Sequence, residues 1–109
     1  GIFEAMRQHR LEPDVTTHNA AISACEKGAQ WLEALGIFAC MGWRALDPDL
    51  VTYNAAISAC GKGAQWQQGL GVFADMRQRQ VLPDVITYNA AISACEKSGR
   101  WQEALGMFV

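Results

Sequence analysis

Apolar side chains recur at helical spacing along one type of segment in this chain. Between about Gln30 and Trp43 they form a stripe at three- and four-residue steps: Trp31, Leu35, Phe38 and Met41. Such a stripe is typical of an amphipathic helix that packs along one side. We call this segment helix B. No segment shows a strand-like pattern, so the chain is predicted to be all-α.

A second type of segment, helix A, carries a polar face of constant composition. It runs from about Thr17 to Lys27. At 100° per residue, Asn19, Ser23 and Lys27 fall within about 80° of one another. The packing side is occupied by other residues: His18, Ala21, Ile22 and Cys25. Helix A is therefore predicted to pack on one side and to present an amide, a hydroxyl and an ammonium on the other.

The whole pattern repeats every 35 residues. The letters TYNAAISAC occur at Thr52–Cys60 and again at Thr87–Cys95, and THNAAISAC occurs at Thr17–Cys25. Between Val15–Asp49 and Leu50–Asp84, 21 of 35 positions are identical. A period in the range of about 20–50 residues indicates a tandem helical repeat.

The period divides the chain into four parts: a repeat tail at 1–14, full repeats at 15–49 and 50–84, and a truncated repeat at 85–109. One helix pair cannot bury its apolar stripe alone and has to stack on a neighbour. We therefore predict an α-solenoid of about three repeats. Gly1 and Val109 are expected to lie inside helices, as in a fragment of a longer array.

Repeated turn residues predict where the helices begin and end. Three threonines that follow a Pro-Asp pair are predicted N-caps: Thr17, Thr52 and Thr87. Three glycines are predicted to end the A helices: Gly28, Gly63 and Gly99. Prolines stop the chain from continuing as helix after each B segment: Pro48 and Pro83.

Composition adds few constraints. The formal net charge is −2, half of the residues are hydrophobic, and no apolar run approaches the roughly 20 residues that a membrane span needs. We see no targeting peptide.

The four cysteines form no CxxC pair and are expected to be small buried helix residues rather than metal ligands: Cys25, Cys40, Cys60 and Cys95. We expect no metal, cofactor, membrane or small-molecule substrate.

The chain resembles the pentatricopeptide repeat family, in its plain P-type form. The resemblance is carried by the 35-residue period, the letters VTYNAAISAC in helix A, the pattern EAL--F in helix B and a closing PD. The resemblance covers essentially the whole chain. It implies binding of single-stranded RNA with one base for each repeat. It also implies an organelle, chloroplast or mitochondrion, and a role in RNA processing, stability or translation.

The resemblance assigns roles to individual positions. The base would be specified by the helix-A Asn and the last residue of the repeat: Asn19 with Asp49, Asn54 with Asp84, then Asn89, and Asp14 from the preceding repeat. The bases would be sandwiched by Thr16, Val51 and Ile86. The phosphates would be approached by Lys27, Lys62 and Lys97. In this family an Asn–Asp pair goes with uracil, and cytosine is the usual second choice.

Elementary chemistry agrees with these roles. An amide offers a donor and an acceptor to a base edge, and an adjacent carboxylate can fix which way it faces. Acids are expected on the outer side of the B helices, at Glu33 and Asp75, which would leave the groove basic despite the net charge. Thr16 is smaller and more polar than Val51 and Ile86, the other two residues that would sandwich the bases. His18 replaces Tyr53 and Tyr88 and is expected to be a packing residue.

Two other classes of function stay open. The same groove would suit an extended peptide, which would make the chain a protein-interaction scaffold. The parent protein would be an enzyme if a catalytic domain were fused to the repeats, although this segment contains no nucleophile or acid–base pair and is predicted to be non-catalytic. We also expect self-association through open repeat ends, where Trp31 or Trp101 would be exposed.

Overall fold

The structure, a computed structural model, describes residues 2–9 and 13–106. Gly1 and Val109, and residues 10–12, 107 and 108 of the two incomplete repeats, lie outside the described residues. The helices follow in chain order: α1 Ile2–Gln8, α2 Val15–Lys27, α3 Trp31–Trp43, α4 Leu50–Lys62, α5 Trp66–Gln78, α6 Val85–Lys97 and α7 Trp101–Gly106. The described residues contain no strand, which confirms the all-α prediction.

The helices form two layers of a solenoid. The A helices α2, α4 and α6 pack directly on one another. Helices α3 and α5 are B helices, and each packs against its own A helix and against the next one. The molecule is elongated, 48 × 28 × 20 Å, as expected for units that contact only their neighbours. The predicted solenoid is confirmed, while the repeat boundaries stay a prediction.

The core runs between the two layers. Its fully buried side chains come from both kinds of helix, among them Ile22, Met41, Tyr53, Ile57 and Met76. The predicted helix-B stripe points into this core, with Met41 fully buried and the others packed against it. Helical periodicity in the sequence therefore identified the packing face of helix B, whereas Asn19, predicted on the open face of helix A, is only 9% exposed.

The A helices begin three residues earlier than the predicted caps. The N-cap is Asp14 in α2, Asp49 in α4 and Asp84 in α6, with the backbone extended at each. In α4 the carboxylate of Asp49 accepts the backbone N–H of Thr52, and the Thr52 hydroxyl accepts the backbone N–H of Asp49. The prediction that the threonines are N-caps is wrong, because the aspartate three residues earlier takes that place, and in α4 and α6 the threonine completes a capping box.

The A helices end in a turn that has one residue in the left-handed region. At the end of α2 the N–H of Gln30 donates to the carbonyl of Cys25 (2.8 Å), and Ala29 has φ 57°. The equivalent residues are Ala64 with φ 55° and Gly99 with φ 71°. Gly28 and Gly63 are the C-caps of α2 and α4, as predicted, whereas α6 has Ser98 as its C-cap. Of the three glycines only Gly99, one residue after that cap, has the positive φ that favours glycine.

Gly63 serves a different purpose, which is close packing between repeats. A Cβ at Gly63 would come within 2.4 Å of the Trp31 ring. The next junction along the chain has Arg100 over the Trp66 ring, 4.6 Å from the ring centroid. Each helix-B tryptophan thus covers the turn of the following repeat, and Trp101, at the open end, is 61% exposed.

Aromatic pairs make a second contact across each junction. Phe38 of α3 meets Tyr53 of α4 edge to face, and Phe73 of α5 meets Tyr88 of α6, with 5.4 Å between centroids in both pairs. Such pairs stabilise a fold by about 0.5–1.5 kcal/mol beyond the area they bury.

Within the described part of the chain, no helix is long and apolar enough to cross a membrane.

The left-handed residues give a test of the turn geometry. We expect Ala29→Gly to raise the free energy of unfolding by about 0.5–1 kcal/mol, because it removes the Cβ strain at positive φ. Gly99→Ala is the matched reverse change, in open space, and should lower that free energy by about 1 kcal/mol. Urea unfolding of both variants measures this. If both variants change the free energy of unfolding in the same direction, the left-handed turn conformation at these positions is contradicted.

Candidate nucleic-acid interface

One side of the A-helix layer forms a groove. At its centre lies an open cavity of about 310 Å³, lined by residues from three consecutive A helices: Ser23, Glu26, Val51, Asn54, Ala55, Ser58 and Ile86. Three of the residues singled out in the sequence meet there, namely Val51, Asn54 and Ile86. We use the word groove for this surface and its continuation along the A helices.

The predicted Asn–Asp pairs are in direct contact across the repeat junctions. The amide nitrogen of Asn19 donates to Oδ1 of Asp49 at 3.0 Å, and that of Asn54 donates to Oδ1 of Asp84 at 3.3 Å. In each pair the amide belongs to one A helix and the carboxylate caps the next. Residues 30 positions apart are thus joined because successive A helices lie side by side.

The remaining predicted specificity residues form no such pair within the described chain. Asn89 is exposed on α6. Asp14 caps α2, where its carboxylate accepts the backbone N–H and the hydroxyl of Thr17 at 2.9 and 3.0 Å. The structure therefore contains two assembled Asn–Asp pairs, one at each of the two junctions between described A helices.

A threonine joins each pair. The hydroxyl of Thr52 donates to the amide oxygen of Asn19, and the hydroxyl of Thr87 donates to that of Asn54. Because these threonines also complete the capping boxes, amide, carboxylate and hydroxyl form one hydrogen-bonded link between neighbouring repeats, which we call the Asn–Asp–Thr link. Sequence reasoning missed this role. The signal was the third residue after each aspartate, which is threonine every time.

The link fixes which face of the amide is presented. Hydrogen bonds from the Thr87 backbone hold the pKa of Asp84 below its usual value. Partial burial acts to raise the pKa of Asp49, but hydrogen bonds from Thr52 and Asn19 outweigh it and the pKa is lowered. Both carboxylates are therefore ionised and accept only, so the amide nitrogen has to face them.

This orientation leaves a defined donor and acceptor. The amide nitrogen of Asn54 carries two hydrogens, and Asp84 takes one of them. The hydrogen bonds that Asn54 and Thr87 donate to Asp84 both end on Oδ1, and so do those from Asn19 and Thr52 to Asp49, so none of them uses Oδ2. Each pair thus retains one N–H donor and one carboxylate acceptor for a ligand.

Two exposed apolar side chains flank the central amide. Val51 is 59% exposed and Ile86 is 62% exposed, although both are β-branched hydrophobic residues. They occupy the same position in consecutive A helices, and Asn54 lies with them in the lining of the cavity. Thr16 holds the equivalent place in α2 and is also exposed. Exposed apolar residues that line a cavity with polar groups between them are typical of a binding site.

The three predicted phosphate lysines end the A helices, but their surroundings differ. Lys62 forms an ion pair with Glu26, with 3.3 Å between Nζ and Oε2. Lys27 and Lys97 are exposed and form no ion pair within the described chain. Glu26 also departs from the expectation that acids lie on the outer helices. Glu33 meets that expectation, since it is exposed on α3.

Asp75 is a structural residue. Its Oδ2 accepts the Tyr53 hydroxyl at 2.6 Å and lies 3.3 Å from Nε of Arg79. Burial, together with this hydrogen bond, raises the pKa of Tyr53. His18, at the Tyr53 position of the first repeat, is fully buried and its Nδ1 lies 2.8 Å from the carbonyl oxygen of Asp14.

The cysteines lie mostly inside. Cys60 and Cys95 are buried, Cys25 and Cys40 are half-buried, and all are free thiols. Burial raises the pKa of Cys60 to about 11, which keeps that thiol protonated and unreactive at neutral pH. No group of His, Cys, Asp or Glu among residues 2–9 and 13–106 is placed to hold a metal ion.

Two packed layers of helices, with a repeated polar groove on the A-helix side, define an α-solenoid. Three family models match the sequence: a PPR repeat family at residues 48–95, a PPR repeat at 16–44 and 86–109, and a pentatricopeptide repeat domain at 1–28. The chain belongs to the pentatricopeptide repeat family. No curated protein sequence matches it.

Two solved structures of a pentatricopeptide repeat protein have the same fold. The chain is 29% identical to the pentatricopeptide repeat protein PPR10 in complex with an 18-nt psaJ RNA element, with a TM-score of 0.81 over 95% of this chain. A cysteine-to-serine variant of PPR10 with the same RNA element matches equally well. PPR10 from maize matches at 23% identity and a TM-score of 0.48 over 97% of this chain and 20% of that one. The chain spans 16% of the length of the RNA-bound structures.

The Asn–Asp–Thr link predicts unequal roles for equivalent threonines. We expect Thr52→Val to lower the free energy of unfolding by about 1–2 kcal/mol more than Thr17→Val. Thr52 completes a capping box and satisfies the nearly buried Asn19 amide, whereas within the described chain the Thr17 hydroxyl hydrogen-bonds only to Asp14. Urea unfolding of the two variants measures the difference. Equal losses would show that the contact with Asn19 adds nothing.

Proposed function

We propose that the groove binds single-stranded RNA, one base for each repeat. The observation that carries this proposal is the pairing of an oriented amide with a carboxylate at each junction, beside exposed aliphatic side chains. Support comes from the family and from PPR10, a relative of known structure bound to an RNA element. Unstacked bases offer their hydrogen-bonding edges to such side chains, which bases in a duplex cannot do.

The two assembled pairs read two adjacent bases, and uracil is the preferred one. The free amide N–H of Asn54 meets a carbonyl oxygen of uracil, and the free oxygen of Asp84 accepts its N3–H. Asn19 and Asp49 read the neighbouring base in the same way. Asn89 contributes to a third base, and Asp14 to the base before the first. Cytosine is the second choice.

Val51 and Ile86 hold the faces of the central base by dispersion and by burial of apolar area. Such contacts act on every base alike, so they add affinity without selectivity. Their exposure in the free chain is then removed by the ligand. Thr16, with a polar hydroxyl in place of aliphatic carbons, holds the first base less firmly.

The lysines at the ends of the A helices approach the phosphates. Lys27, Lys62 and Lys97 lie one repeat apart, and their contribution is sequence-independent and weakened by salt. Two or three bases, each discriminated by about 1–3 kcal/mol, are too few to select one transcript. The parent protein therefore uses further repeats. We place it in an organelle, chloroplast or mitochondrion, in RNA processing, stability or translation, with no catalytic role for this segment.

Titration of the ¹⁵N-labelled chain with short oligo-U, oligo-C and oligo-A, followed by NMR, tests the proposal. The side-chain amide signals of Asn19, Asn54 and Asn89 report each site separately. Tighter binding of oligo-U than of oligo-A, weakened by salt and with shifts at Asn19 and Asn54, is expected. Equal binding of all three would leave only phosphate contacts. No binding would favour the peptide scaffold.

Base preference should be separable by repeat. Asn54→Ser together with Asp84→Asn replaces the donor and removes the acceptor charge of one pair, so the preference for uracil at that site should fall about tenfold. The neighbouring site at Asn19 keeps its pair and serves as the internal control. Oligonucleotides with a single uracil placed at either site measure both preferences. A change at both sites, or at neither, would refute readout of one base per repeat.

A further inference from the structure

The two repeat junctions differ at one position inside the groove. Glu26 and Gly61 lie one repeat apart, in the last turn of α2 and of α4. The side chain of Glu26 is only 18% exposed. Its Oε1 accepts the Ser58 hydroxyl at 3.0 Å, and its Oε2 lies 3.3 Å from Nζ of Lys62. Glu26 is thus held toward the groove and belongs to the lining of the cavity.

The second junction has nothing equivalent. Gly61 lies against α6, where an added Cβ would be 3.1 Å from the carbonyl oxygen of Ala90 and 3.9 Å from Cβ of Ser93. The residue that corresponds to Lys62 is Lys97, which is exposed and forms no ion pair within the described chain. The serine and the lysine are therefore present at both junctions, and only the carboxylate is missing from the second.

This single difference changes the local charge. At the first junction the carboxylate of Glu26 cancels the ammonium of Lys62, whereas the ammonium of Lys97 is uncompensated. The carboxylate also uses the hydrogen-bond donors that an incoming phosphate would need, one from Ser58 and one from Lys62. A phosphate at this place has to displace Glu26 from Lys62 or remain beside a like charge, and both weaken binding.

We propose that Glu26 is an internal substitute for phosphate, which occupies the backbone site of the first junction and leaves the second junction as the stronger backbone contact. The proposal rests on the RNA-binding function proposed above. Selection of bases by the Asn–Asp pairs is unaffected, since the polar partners of Glu26 are Ser58 and Lys62 and not the paired Asn and Asp side chains. The carboxylate changes the strength of RNA binding at that junction and does not change which base is selected.

Removing the charge should strengthen binding. Glu26→Gln keeps the shape and the hydrogen bond to Ser58, and we expect it to raise the affinity for short oligo-U about three- to fivefold at low salt. The plot of log affinity against log salt should steepen by about 0.7, the value for one more phosphate contact on a single strand. Glu33→Gln is the matched control, because it removes the same charge from the exposed side of α3.

The reverse change should install the substitute at the second junction. Gly61→Glu is expected to weaken oligo-U binding about three- to fivefold relative to Gly61→Gln. The two variants share the same crowding against Ala90, so their difference isolates the charge. Circular dichroism melting checks that both are folded, and the Glu26→Gln experiment stands if they are not.

The outcomes separate this inference from the proposed function. If the wild-type chain binds oligo-U and Glu26→Gln behaves like Glu33→Gln, the inference is wrong and the RNA-binding function stands. If Glu26→Gln raises affinity equally for oligo-U and oligo-A, with a steeper salt dependence, the inference is supported. If the wild-type chain and Glu26→Gln both fail to bind any oligonucleotide, the proposed function and the inference fail together.

Discussion

The Asn–Asp–Thr link is the interaction on which the geometry of the groove depends. The aspartate ends the extended backbone and starts the next A helix, so its position is set by the helix that it caps. The amide from the previous repeat is bound to that same carboxylate and to the threonine one turn later. Helix start, helix spacing and amide orientation are consequently fixed together, and the neighbouring aliphatic side chains take their places from the same framework.

On the proposed function, structure and recognition would therefore share atoms. An isolated capping aspartate contributes only to its helix, and an isolated exposed asparagine samples several orientations. Here each amide has one hydrogen and each carboxylate one oxygen left over after the repeats are joined. Because these two groups are already held in place, fewer side-chain rotamers would be lost when the proposed RNA binds. A substitution made to test the proposed base choice therefore also alters a junction between helices.

Much of this arrangement was accessible from the sequence, and the exceptions have physical causes. The helix-B stripe and the polar face of helix A follow from periods that a single sequence displays, and the Asn–Asp pairs follow from the family resemblance. The caps were misplaced because Asp and Thr have similar preferences for helix starts, and only backbone geometry distinguishes Asp49 from Thr52. The need for Gly63, and the capture of Lys62 by Glu26, depend on partners more than 30 residues away.

The junction contacts all join successive repeats: Asn19 to Asp49, Trp31 to Gly63, and Phe38 to Tyr53. None of them skips a repeat. Loss or duplication of 35 residues would therefore keep each remaining amide 30 positions from an aspartate that caps the next A helix. Loss of 34 residues would instead place the amide before the deletion 31 positions from the next capping aspartate, one residue out of register. The link thus selects the length of the genetic unit by which such an array can grow or shrink.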